Sequence, residues 1–173
     1  MSNIERSDKC VGCGAILPHI DGPTHRYMLS SPACFAQYNR LLAAEYSDLT
    51  LMEIHRLTVD AFALQHPGDG VSRQAIQSVG LHLARLGMQL NKLRSPREAN
   101  DIMLSLGRHK AGLIPLRPPP WFRMTVSDIA RFAGTSDHPN QVRNWASSTR
   151  EDWAEYHDYI IGWAETHLAD AQP

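Results

Sequence analysis

Apolar residues recur along this chain at helical spacing. Val79, Leu83, Leu86 and Leu90 form one stripe, and Leu51, Ile54, Val59 and Phe62 are compatible with a second. No window alternates cleanly with β-branched residues, so strands are not expected. Capping signals divide the pattern into segments. Thr50-Leu-Met-Glu53, Ser95-Pro-Arg-Glu98, Thr125-Val-Ser-Asp128 and Thr149-Arg-Glu-Asp152 each place a hydroxyl where it can bond the N3 amide. In each, the acid three residues on can reach back to the cap. Pro96 takes a first helical position, where its missing N–H costs nothing. The expected helices cover 32–46, 50–66, 72–93, 96–109, 125–133, 139–147 and 150–169.

The segment Gly112-Leu-Ile-Pro-Leu-Arg-Pro-Pro-Pro-Trp121 interrupts the helical pattern. Three consecutive prolines exclude helix and favour an extended strap. The chain therefore reads as one domain, 1–173, in three parts. Residues 1–110 form a helical core carrying the cysteines and several histidines, 111–124 a proline-rich strap, and 125–173 a set of tryptophan-rich C-terminal helices. Trp145, Trp153 and Trp163 are expected to pack that last part back onto the first. No internal repeat is visible.

Composition narrows the class. The 173 residues are 43% hydrophobic and 20% charged, with a formal net charge of −1. These values describe an ordinary globular chain and exclude a disordered tail, a collagen-like repeat or a strongly basic nucleic-acid binder. Residues 1–110 carry 12 basic and 10 acidic side chains, and 111–173 carry 5 and 8. Neither part has the positive field of a nucleic-acid surface. The N-terminus lacks the apolar core of a secretory signal, and no apolar run approaches the roughly 18 residues of a membrane span. The cysteine count is odd, which argues against a secreted disulfide framework and for a reducing cytoplasm.

The three cysteines carry the clearest chemistry. Cys10-Val-Gly-Cys13-Gly14 has the spacing at which two thiolates chelate one tetrahedral ion, with glycines that let the backbone wrap it. Cys34 is the only other cysteine, so a fourth ligand must be a histidine or a carboxylate. If helices 32–46 and 50–66 form an antiparallel hairpin, Cys34 at the start of the first lies beside the end of the second. His66 stands there, before Pro67, which stops the helix. The expected metal site is therefore Cys10, Cys13, Cys34 and His66, and thiolate with imidazole suits Zn2+. The competing reading makes Cys34 a small buried hydrophobe and His66 a helix-end residue. The whole is an all-α helical bundle of about six to seven helices with an N-terminal cysteine-containing metal-binding loop.

A second group is less specific. The hairpin geometry sets His82 opposite positions 55–59, near His55, and Glu45 and Asp60 lie within reach. Such pairs can act as proton carriers or orient a metal ligand. Hydrogen-bonded core histidines are the plainer reading. His25, in a loop, is a further candidate ligand. On the last helix, His157 and Glu165 fall near one face.

Several motifs together resemble a bacterial family of small proteins known as a domain of unknown function. They are Cys10-Val-Gly-Cys-Gly-Ala15, Asp21-Gly-Pro-Thr-His-Arg-Tyr-Met28, Ser30-Ser-Pro-Ala-Cys34 and Leu42-Ala-Ala-Glu-Tyr-Ser47. His55-Arg-Leu-Thr-Val-Asp-Ala-Phe-Ala-Leu-Gln-His-Pro-Gly68 and Gln77-Ser-Val-Gly-Leu-His-Leu83 continue the series. The resemblance covers residues 8–92 well and 115–165 loosely. It implies no activity, and it draws attention to Cys10, Cys13, Cys34, His55, His66 and His82. Phe35 stands where the family more often has tryptophan.

Three functions follow as expectations. The first is a zinc-binding protein of unknown role, its metal held by three cysteines and one histidine. The second is a zinc enzyme with an open metal position, an unidentified small-molecule substrate, and His55, His82, Glu45 or Asp60 carrying protons. The third is a helix-turn-helix regulator, with Thr125–Ser136 as first helix and turn and Arg143 and Asn144 on a recognition helix. The long turn and the acidic C-terminal part weigh against this third function, so nucleic acid is not an expected partner. No glycine-rich phosphate loop, GxSxG elbow or HExxH pair is present.

Overall fold

The computed structural model describes residues 6–91 and 95–169. Among these residues seven α-helices make up the fold, with one small hairpin toward the N-terminal end. The hairpin pairs β1 (Ser7–Lys9) with β2 (Ile16–Pro18), antiparallel, with Ser7 opposite Pro18 and Lys9 opposite Ile16. The hydrophobic pattern gives no hint of it, because three-residue strands are too short to show alternation. What holds the strands together is the closed turn between them.

The helices are α1 (Pro32–Ser47), α2 (Met52–Gln65), α3 (Arg73–Leu90), α4 (Pro96–Leu106), α5 (Val126–Ile129), α6 (His138–Asp152) and α7 (His157–Ala169). The all-α class and the helix number agree with the sequence reading. Ser31 caps α1, its Oγ accepting from the Cys34 N–H at 3.2 Å, with Pro32 at the first position. Two of the four expected capping boxes form, Ser95/Glu98 and Thr125/Asp128.

The other two capping boxes do not form. Asp48, two residues earlier than the expected cap, accepts from the Thr50 N–H and starts a short 3-10 turn that runs into α2. Thr149 lies inside α6, buried, and accepts from Gln65 Nε2 at 3.0 Å. The expected break near 148–149 therefore falls instead at Trp153–Tyr156, where a fully buried Trp153 anchors the change of direction. Helix 125–133 is also shorter than expected: α5 has four residues and passes into a 3-10 turn over Ala130–Phe132. The expected end of α3 at residue 93 falls outside the described residues; Asn91 caps the helix.

Helix α2 is the central element. It packs against α1, α3 and α6, and ten of its fourteen residues are buried. This explains why its stripe is indistinct, since a helix covered on several sides needs no polar face. The α3 stripe is real: Val79, Leu83 and Leu86 are buried. Helix α7 packs on α3 and α4, and α6 on α2 and α3, so the C-terminal helices do return onto the N-terminal ones. The intervening strap is extended. Leu113 fills a notch at Gly80, where a Cβ would lie 2.7 Å from Leu113 Cδ2. The Tyr159 and Tyr156 hydroxyls accept from the N–H groups of Ile114 and Arg117, both at 3.1 Å, securing its backbone.

Candidate metal centre

Four residues from three parts of the chain converge below the hairpin. Cys10 and Cys13 come from the β1–β2 turn, Cys34 from the first turn of α1, and His66 from the end of α2. One ligand atom from each lies within 4.8 Å of the other three, and all four residues are buried. The Cys13 and Cys34 sulfurs are 3.7 Å apart. His66 Nε2 stands 3.5 Å from Cys10 Sγ and 3.3 Å from Cys34 Sγ. A tetrahedron with zinc–sulfur bonds of about 2.3 Å and a zinc–nitrogen bond of about 2.0–2.1 Å has S···S edges of about 3.8 Å and S···N edges of about 3.5–3.6 Å. The three observed edges are close to these values.

The local backbone explains the convergence. Within the turn, the Cys10 N–H donates to Ala15 O at 2.8 Å and the Gly14 N–H to Cys10 O at 3.0 Å. Gly14 has φ of +79°, which an L side chain resists. Gly12 is needed for space: a Cβ there would lie 2.5 Å from His66 Cδ2 and 2.5 Å from Leu29 O. His66 Nδ1–H donates to Phe62 O at 2.7 Å, so Nε2 is the ring nitrogen turned toward the sulfurs. The Ser31 N–H donates to Cys10 Sγ at 3.3 Å. Cys34 also sits at the electropositive start of α1, which favours an anionic sulfur.

The thiols are electrostatically unequal. Hydrogen bonds from Cys13 and Cys34 hold the Cys10 thiol far below its ordinary range, as a thiolate. That thiolate pushes Cys13 up to about 12 and Cys34 higher still. A central divalent cation changes this, because it allows all three sulfurs to ionise and to act as ligands.

The four proton-carrier candidates lie elsewhere and do not form one group. Glu45, at the far end of α1, accepts from His55 Nδ1–H at 2.7 Å and from the Thr58 hydroxyl. His138 Nε2 lies 3.4 Å from the same carboxylate. Because His138 Nδ1 accepts from the Gly134 N–H at 3.1 Å, its proton is on Nε2, facing Glu45. Burial pushes the Glu45 carboxyl up, but the bonds from His138, His55 and Thr58 outweigh it, leaving the carboxyl below its ordinary value of 4.5. His55 Nε2 is 3.3 Å from the Tyr46 hydroxyl. Asp60 belongs to a separate set. It accepts from His82 Nδ1–H at 2.6 Å, from Arg85 Nη2 at 2.6 Å and from Gln89 Nε2 at 2.8 Å. Arg85 continues to Asn100 on α4.

His25 stays outside the cysteine group, its Nδ1 accepting from the N–H groups of Tyr27 and Met28, both at 3.2 Å. Arg143 and Asn144 are exposed on α6. His157 and Glu165 line a pocket beside α3.

The sequence reading missed His138 and Arg85. Arg85 was legible in principle: it shares a helical face with His82 three positions earlier, and a buried guanidinium requires an acid. Nothing near His138 points to Glu45, which is 93 residues away.

A family model described as a family of unknown function (DUF5946) matches residues 8–154, a span that contains all four clustered residues and both carboxylate sets. No curated protein and no solved structure matches the chain.

Proposed function

We propose, for a chain that belongs to the family of unknown function DUF5946 and takes no activity from that membership, that Cys10, Cys13, Cys34 and His66 bind one zinc ion in a closed structural site. The observation carrying this reading is the set of S···S and S···N distances, which match the edges of a zinc tetrahedron. Four protein ligands leave no position for water, so the ion's role is to staple the N-terminal turn to the α1–α2 hairpin. Burial of the cluster supports that role. Thiolate ligands fit a reducing cytoplasm, where zinc rather than a disulfide joins cysteines. On this reading residues 1–173 fold as one unit, with the zinc closing its N-terminal end.

The proton-carrier candidates support the same choice. Glu45 and Asp60 each point their oxygens at donors inside the protein, which leaves them engaged in packing rather than beside a metal.

Elemental analysis of protein purified without chelator tests the proposal. About one zinc per chain is expected, falling below one tenth in Cys34→Ala. A metal-free wild-type protein that is fully folded would end it. Zinc that persists in both Cys34→Ala and His66→Ala would assign the metal to other residues.

A further inference from the structure

Helices α3, α4, α6 and α7 line a half-open pocket of about 250 Å3. Its walls are mostly apolar, with Leu83 on α3 facing Ile160 and Ala164 on α7. One cation enters it. The Arg150 side chain is only 19% exposed, and among the described residues its one side-chain partner is Glu151, at 3.4 Å and 54% exposed. The guanidinium lies over Gly87, where a Cβ would be 3.8 Å from Arg150 Nε. The Arg150 carbonyl accepts from His157 Nε2–H at 2.9 Å, which holds the start of α7 against the end of α6.

A guanidinium carries five N–H donors in a planar fork, and among the described residues this one makes a single long side-chain bond. The group that satisfies such a fork is a carboxylate bound through both oxygens. The apolar walls call for a hydrocarbon chain behind that head group. The volume lies just below the usual range of ligand pockets, which limits the chain to medium length. Glu165, also lining the cavity, opposes a second negative charge. We propose that this cavity binds a small aliphatic monocarboxylate, its head on Arg150 and its chain between α3 and α7.

The test is a titration of the full metal-loaded chain with octanoate, followed by methyl NMR. Saturable shifts are expected at Leu83 and Ile160. Octylammonium, of the same length and opposite charge, and suberate, with a second carboxylate, are expected to bind at least about tenfold more weakly. Arg150→Gln should weaken octanoate by a similar factor. Gly87→Leu, which projects a side chain into the cavity without a backbone clash, should abolish the shifts while the helical circular dichroism is retained. The proposal is overturned if octanoate gives no saturable shift, or if octylammonium binds equally well. Undiminished binding in folded Gly87→Leu or Arg150→Gln overturns it as well.

Discussion

The antiparallel α1–α2 hairpin carries a buried polar cluster at each end, and the two are built on opposite logic. At one end Cys34 and His66 meet Cys10 and Cys13; at the other Glu45 and His55 meet Thr58 and His138. The Glu45 end is held by groups of the chain itself: the carboxylate accepts from His55 and Thr58, and His138 Nε2 lies 3.4 Å away. At the cysteine end, three sulfurs and His66 Nε2 face one another, and all four are atoms that a metal ion takes as ligands. Three sulfurs and an imidazole nitrogen converging on one buried point suit a cation from outside the chain. That difference separates a metal site from a hydrogen-bond hub, although both consist of buried histidines with ionisable neighbours.

Breaking the cysteine end should have the largest effect. Structural zinc contributes about 10 kcal/mol or more in small zinc-dependent folds, comparable with the whole stability of a typical domain at about 5–15 kcal/mol. Cys10→Ser or Cys34→Ala should therefore unfold at least the N-terminal turn and the facing ends of α1 and α2. Circular dichroism and amide exchange would detect this, and a strong chelator should do the same to wild type. Unchanged amide protection at α1 and α2 in the zinc-free protein would place the stability elsewhere.

Breaking the Glu45 end should cost about 3–5 kcal/mol, because Glu45→Ala leaves His55 and His138 without their buried acceptor. Zinc stoichiometry should stay at one, which is what makes the ends independent. The Glu45 carboxyl titrates lower folded than unfolded, so its contribution is present above about pH 4.5 and lost as pH falls through the folded value. Glu45→Gln should flatten that part of the acid-unfolding profile. A profile as steep as wild type would remove Glu45 from the account.

Gly12→Ala tests the cysteine end without replacing a ligand. The new Cβ meets His66 Cδ2 and Leu29 O at 2.5 Å, and Gln65 O at 2.8 Å, two of them backbone atoms that cannot yield cheaply. We expect about 1–3 kcal/mol of destabilisation and faster loss of zinc to chelator.

These two ends were not equally legible in the sequence. The cysteine site could be read because its parts sit at marked places: a CxxC turn, a cysteine after Ser31-Pro32, and a histidine before Pro67. Helix punctuation thus gave the geometry of the hairpin end. The Glu45 hub could not be read in full, since His138 arrives from α6 across a strap whose path no local pattern specifies. The capping boxes make the same point. Ser95 and Thr125 cap where their pattern says, but Thr149 does not, because Trp153 and the buried contact with Gln65 extend α6 past it. Tertiary packing overrode a local signal worth about 1 kcal/mol.

The smallest change compares the ends at equal strength. Ser31→Ala removes the cap on Cys34 but keeps the backbone N–H that reaches Cys10 Sγ, and should cost about 1 kcal/mol. Thr58→Val removes one hydroxyl from Glu45, at a cost of about 1–3 kcal/mol. Thermal unfolding should register both, so stability alone does not tell them apart. Zinc release does. Fraying the first turn of α1 loosens Cys34 directly, so Ser31→Ala should speed transfer of zinc to a colorimetric chelator. Thr58→Val acts at the middle of α2, about two turns from His66, and should leave the transfer rate at the wild-type value. Equal acceleration in both variants would mean that α1 and α2 transmit strain along their length, and that the two clusters are one cooperative unit rather than two.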